Sequence, residues 1–84
     1  MAIQVTKLDG SLEEFTPEKI VVSCIKSGAP ATFARETAEA VEKRVYDKIP
    51  TSEIRSVVLE QLKAENPDWE QYWLLYEKAV KKRR

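Results

Sequence analysis

Histidine is missing from this 84-residue chain, and cysteine occurs once, at Cys24. Without histidine, neither a Ser-His-Asp nor a Cys-His catalytic arrangement can be assembled from one copy of the chain. A Cys/His zinc site within it is excluded for the same reason, and a single cysteine rules out an intrachain disulfide. Glycine is confined to Gly10 and Gly28, so no glycine-rich Walker-type phosphate loop exists. No apolar run approaches the roughly 18 residues a membrane-spanning helix needs. The N-terminus lacks a signal-peptide pattern, because Gln4, Thr6 and Lys7 interrupt its apolar residues. These absences narrow the enzyme options and lead to the expectation of a cytoplasmic, non-membrane protein. Net charge is lacking too: 14 Lys and Arg balance 14 Asp and Glu.

That balance hides an asymmetry. Lys78, Lys81, Lys82, Arg83 and Arg84 hold five of the cations at the C-terminal end, leaving residues 1–77 with nine cations against fourteen acids. A body with that deficit is not built for general nucleic-acid binding. The basic end reads as a helix C-terminus favoured by the macrodipole, a frayed tail or a phosphate contact. With 43% hydrophobic and 33% charged residues, the chain reads as an ordinary globular protein, and its length argues for one domain over residues 1–84. A domain of this size depends on a well-made core.

The pattern along the chain predicts a hairpin over about residues 2–15. Ile3 and Val5 share a face of the first strand. Asp9-Gly10 signals a two-residue type I′ turn, and Ser11 to Phe15 return as the second strand. Four helices follow, over about 17–27, 32–46, 52–64 and 67–81. Thr16-Pro17 is a good helix start, Gly28 a good helix end, Thr51 or Ser52 a cap for the third helix, and Asn66-Pro67 the start of the fourth. Apolar stripes at helical spacing run through Ile20, Val21, Cys24 and Ile25, then Ala34, Ala38, Val41 and Val45, then Ile54, Val57, Val58 and Leu62. Cys24 lies on the first stripe and reads as a buried small hydrophobe. Trp69, Tyr72, Trp73, Leu75, Tyr76, Ala79 and Val80 make the last helix apolar over more than one face. The fold class is therefore mainly α (α+β): an N-terminal β-hairpin lid on a four-helix body. Short loops make helices two to four successive packed neighbours.

In order and spacing, "VTKLDGSLEEFTPEKI", "SGAP", "AEAVEKRVYDKIPTSEIRSVVLEQL" and "YWLLYEKAV" resemble the ATP-cone domain over nearly the whole chain. The resemblance implies a regulatory module of the kind found at the N-termini of ribonucleotide reductase large subunits and in the transcriptional repressor of ribonucleotide reductase genes. Such a module binds ATP or dATP between the hairpin and the helices, changes subunit association and performs no catalysis. Carried over position by position, it implies a nucleotide-binding set: Val5 over base or sugar, Lys7 at the phosphates, Glu13 and Thr16 near base and sugar, Lys19 at the first turn of helix one, Ile20 beneath the base and Thr51 at the start of helix three. Lys78 or Lys81 matches the family's basic group on the last helix. Magnesium would accompany the nucleotide. Leu8 stands where the family has arginine in Lys-Arg-Asp-Gly, and Lys48 where many relatives have glycine.

Each of these residues also has a plain structural role: core for Val5 and Ile20, pairing with Glu13 or Glu18 for Lys7 and Lys19, capping for Thr51. Two readings of the resemblance stand beside each other. One is a nucleotide-sensing regulator that modulates association with itself or with a partner in trans. The other is a degenerate ATP-cone that has lost the ligand through Leu8 and serves as an interaction or oligomerisation module. The same sequence is compatible with a free-standing module and with an excised domain. A nucleic-acid adaptor built on "AVKKRR" ranks third, since a few adjacent cations give weak, salt-sensitive binding.

Overall fold

The computed structural model describes residues 3–82, with side chains through Ala79. It contains β1 (Gln4–Thr6), β2 (Leu12–Glu14), α1 (Pro17–Lys26), α2 (Ala31–Glu42), β3 (Ile49–Pro50), α3 (Thr51–Glu65) and α4 (Pro67–Lys82). The predicted hairpin start at Ala2, the side chains of Val80, Lys81 and Lys82, and the terminal arginines lie outside the described residues.

The hairpin forms, but its turn is not the expected two-residue one. The amide of Gly10 donates to Lys7 O and the amide of Lys7 to Ser11 O, closing a three-residue loop of Leu8, Asp9 and Gly10. Only Gly10 in this loop has a positive φ, +88°, as a type I turn followed by a left-handed residue requires. The carboxylate of Asp9 stabilises the turn by accepting from the amide and the hydroxyl of Ser11. Those two bonds, helped by Lys7, hold the Asp9 carboxyl below the usual carboxylate range.

A third strand, absent from the sequence reading, pairs on the other side of β1. Val5 lies opposite Ile49 and Thr6 opposite Pro50 in parallel register, so the sheet order is β2-β1-β3. Its approach is a strained corner. Lys48 takes φ +69°, donates its amide to Gln4 O, and accepts the Thr6 hydroxyl on its carbonyl. Asp47 meanwhile accepts the amide of Gln4.

The helices close a ring in which α1 packs on α2 and α4, and α3 on α2 and α4. Helix α1 ends in a Schellman motif: Ala29 N donates to Cys24 O and Gly28 N to Ile25 O, with Gly28 at φ +106°. Trp69 lies against the open side of Gly28, which joins the end of α1 to the start of α4. The helix expected over 32–46 stops at Glu42. Val45 still packs against the core, so the apolar stripe outlasts the helical backbone. Ile20, Val21, Cys24, Ala34, Ala38, Val41, Val58, Leu62 and Trp73 form the centre of the core. Ile25, read as part of that stripe, is largely exposed: Ile20, Val21 and Cys24 already fill the face that α2 and α4 cover. Burial pushes the Cys24 thiol up to about 11.

Candidate functional site

The first turns of α1 and α3 meet beneath the hairpin loop, and α4 closes the far side. Between them lies an open cavity of about 440 Å³, within the usual range for a small-molecule site. It is lined by Leu8 from the loop, Lys19, Ile20 and Ser23 from α1, Thr51, Ser52, Ile54, Arg55 and Val58 from α3, and Trp73 and Glu77 from α4. A smaller lobe of about 170 Å³ continues under the sheet, where Val5, Glu13, Phe15 and Thr16 join Lys19, Ile20, Thr51 and Ile54. The four residues common to both form the waist between the lobes.

Helical spacing explains why these side chains converge. Thr51, Ile54, Arg55 and Val58 recur at i, i+3, i+4 and i+7, on one face of α3. Ile20 and Ser23 do the same on α1, and Trp73 and Glu77 on α4. Thr51 is the first residue of α3, and Pro50, not Thr51 or Ser52, takes the N-cap position without a side-chain cap. The hydroxyl of Thr51 makes no hydrogen bond among the described residues, so it remains available to the cavity. Thr16 likewise does not cap α1; its hydroxyl donates weakly to Glu14 O, 3.4 Å away. By contrast, Asn66 does cap α4, accepting the amide of Asp68.

Two cations line the cavity and each is matched to a carboxylate. Lys19 Nζ donates to Glu13 Oε2 at 3.1 Å, tying β2 to α1. That bond and the lysine charge hold the Glu13 carboxyl below its usual range. Arg55 Nε donates to both carboxylate oxygens of Glu77, at 2.9 and 3.1 Å, tying α3 to α4. The guanidinium carbon of Arg55 lies 5.8 Å from the centre of the Trp73 ring, and Trp73 Nε1 donates to the Ser23 hydroxyl. The rest of the lining (Ile20, Ile54, Val58 and the Trp73 ring, with Leu8 above) is apolar. Chemically the cavity offers apolar surface beside hydroxyls and cations, at the N-terminal turn of α3. Such a helix N-terminus favours anions.

Six of the eight residues singled out from the sequence line one lobe or both: Val5, Glu13 and Thr16 the smaller, Lys19, Ile20 and Thr51 both. Lys7 and Lys78 are exposed and line neither lobe. Sequence reasoning missed Arg55, Ser52, Trp73 and Glu77. The i, i+4 relation of Arg55 to Thr51 was the available signal. Leu8, noted from the sequence only for replacing an arginine, is 84% exposed and lines the larger lobe from the loop.

The chain is similar to known proteins in the same terms. An uncharacterized protein of Archaeoglobus fulgidus is 42% identical over 41 residues, which are 49% of this chain and 87% of that protein. The family model of the ATP cone domain matches residues 3–80. With nearly its whole length matched and a hairpin set on four helices, the chain belongs to the ATP-cone family.

Proposed function

We propose that the chain is a regulatory module that binds ATP or dATP and, in doing so, alters its association with a second copy or with a partner protein in trans. The observation that carries this reading is the cavity itself: an apolar floor fit for a purine lies beside Lys19, Thr51, Ser52 and Arg55, groups fit for phosphates. The base lies against Ile20, Ile54 and Trp73, and Val5, Glu13 and Thr16 meet the sugar or base edge from the smaller lobe. Lys7 and Lys78 act only as long-range cations. Among the described residues no group of three or more His, Cys, Asp or Glu could hold a metal ion, so magnesium would arrive with the phosphates. The module works without catalysis, in the cytoplasm, and without nucleic acid. No helix among the described residues is long and apolar enough to cross a membrane.

Binding becomes regulation only if the ligand has different affinities for two association states. The hairpin is the element suited to report it, because Glu13 on β2 holds Lys19, the cation that a phosphate would recruit. Calorimetry with ATP, dATP, ADP and AMP in magnesium buffer tests the reading. Saturable heat with the triphosphates, weaker with AMP, is expected, and Lys19→Ala should reduce affinity more than Lys63→Ala. Absence of saturable heat with all four at high concentration refutes it.

A second reading, an interaction module without ligand, draws on the exposure of Leu8, Tyr72 and Leu75. Light scattering across concentration separates the two, since association indifferent to nucleotide supports the second.

A further inference from the structure

Resting on the nucleotide-binding reading, we propose that Glu77 is a positioning residue, which holds the guanidinium of Arg55 so that its terminal nitrogens serve the ligand's phosphates. A guanidinium is a planar fork of five N–H donors. Glu77 takes the Nε side with both carboxylate oxygens. One face of the group is taken by the Trp73 ring. Both restraints come from α4, one helical turn apart, while Arg55 itself stands on α3. The terminal nitrogens make no hydrogen bond among the described residues, and they are the pair that binds an anion in bidentate fashion.

Burial supports the assignment. The Glu77 side chain is 22% exposed and that of Arg55 42% exposed, whereas the members of the Arg35–Glu18 and Arg44–Glu60 pairs are all more than half exposed. Of the four ion pairs among the described residues, only this one and Lys19–Glu13 include a residue that lines the larger lobe. Thr51, one turn before Arg55 on the same face, offers its hydroxyl beside the guanidinium. Glu77 thus converts a flexible surface cation into a fixed one, and ordering a long side chain before the ligand arrives removes part of the entropy cost of binding.

The proposal has a sign that simple electrostatics does not share. Removing a carboxylate beside an anion site should strengthen anion binding if charge alone decides. If orientation decides, it should weaken it. Calorimetry of magnesium-ATP with the full chain tests this. Glu77→Ala is expected to weaken binding on the order of tenfold, the loss of one ordered charge-assisted contact. Glu77→Gln keeps an acceptor for Nε and should restore most of the affinity. Adenosine, which lacks phosphate, should bind all three proteins alike, and in an Arg55→Ala background Glu77→Ala should have no further effect. Unchanged or tighter ATP binding by Glu77→Ala overturns the proposal while leaving the nucleotide reading intact. If the unsubstituted chain binds no nucleotide, both fall. Equal weakening of adenosine and ATP by Glu77→Ala also overturns it, because it marks a structural effect of the α3–α4 tie.

Discussion

Lys48 holds its backbone at φ +69°, a left-handed conformation that costs a side-chain-bearing residue about 1–2 kcal/mol. Glycine adopts it freely. The Lys48 side chain is exposed and has no ion-pair partner among the described residues, so removing it sacrifices little. The backbone bonds that make the corner useful, Lys48 N to Gln4 O and the Thr6 hydroxyl to Lys48 O, survive the change. Against the relief stands the extra freedom of glycine in the unfolded chain, about 0.4–1 kcal/mol. The difference is a net gain of about 0.5–1 kcal/mol for Lys48→Gly. For a domain of this size that is a rise in Tm of about 2–8 °C. Thermal melts followed by circular dichroism would measure it, with Lys48→Ala as the control. Alanine keeps the Cβ strain and should bring no gain. If Lys48→Gly melts at or below the unsubstituted chain, the strain reasoning is wrong. If Lys48→Ala gains as much, the effect belongs to the lysine charge and not to the backbone.

Gly28→Ala should have the opposite sign, destabilising by about 1 kcal/mol through its φ of +106°, because the added Cβ would meet Trp69 only at ordinary contact distance, 3.5 Å; urea melts would register the shift. Cys24 has its thiol raised from an ordinary 9.0 to about 11, so the stability linked to it is whole below pH 9 and is lost as pH rises toward 11. Between pH 8 and 10.5 it contributes a loss of about 2 kcal/mol, and Cys24→Ala should show a correspondingly shallower decline in denaturant melts over that interval. Leu8→Arg places a guanidinium over the larger lobe. With the residue 84% exposed, solvent screening limits the gain to about two- to fivefold in ATP affinity by calorimetry, and an unchanged affinity would mean that the loop tip does not reach the phosphates.

Much of the fold was legible because local chemistry and long-range packing agree. Pro17, Gly28 and Asn66-Pro67 mark helix ends through backbone needs that hold in any context, and the structure keeps all three boundaries within a residue, although Thr16 precedes α1 without a side-chain cap. Where the reading failed, a tertiary requirement overrode a local one. Val45 lies at helical spacing from Val41 and remains partly buried, yet the chain has left the helix at Glu42 in order to bring Ile49 alongside Val5. Strand β3 is two residues long and includes a proline, too little for any alternation to show. The turn signal at Asp9-Gly10 was real, but composition does not distinguish a two-residue loop from a three-residue loop with one left-handed glycine. In the cavity, Lys19, Ile20 and Thr51 were found through their place in a family pattern. Arg55 and Glu77 escaped because a charged residue on an amphipathic helix reads as solvated until a facing helix brings it a partner.

The pairing of β1 with β3 has a consequence for how the molecule assembles. Val5 and Ile49 are joined in register across a loop that contains two whole helices. Closing so long a loop is entropically unfavourable until α1 and α2 have packed and shortened the effective distance. During synthesis the hairpin emerges before the helices, but its sheet is completed only after residue 50 has followed. The hairpin is thus among the last parts of this fold to be secured. With only three residue pairs to β2 and two to β3, the roof of the cavity is expected at the low end of local stability, and its amides should exchange with solvent faster than those of the helices beneath it.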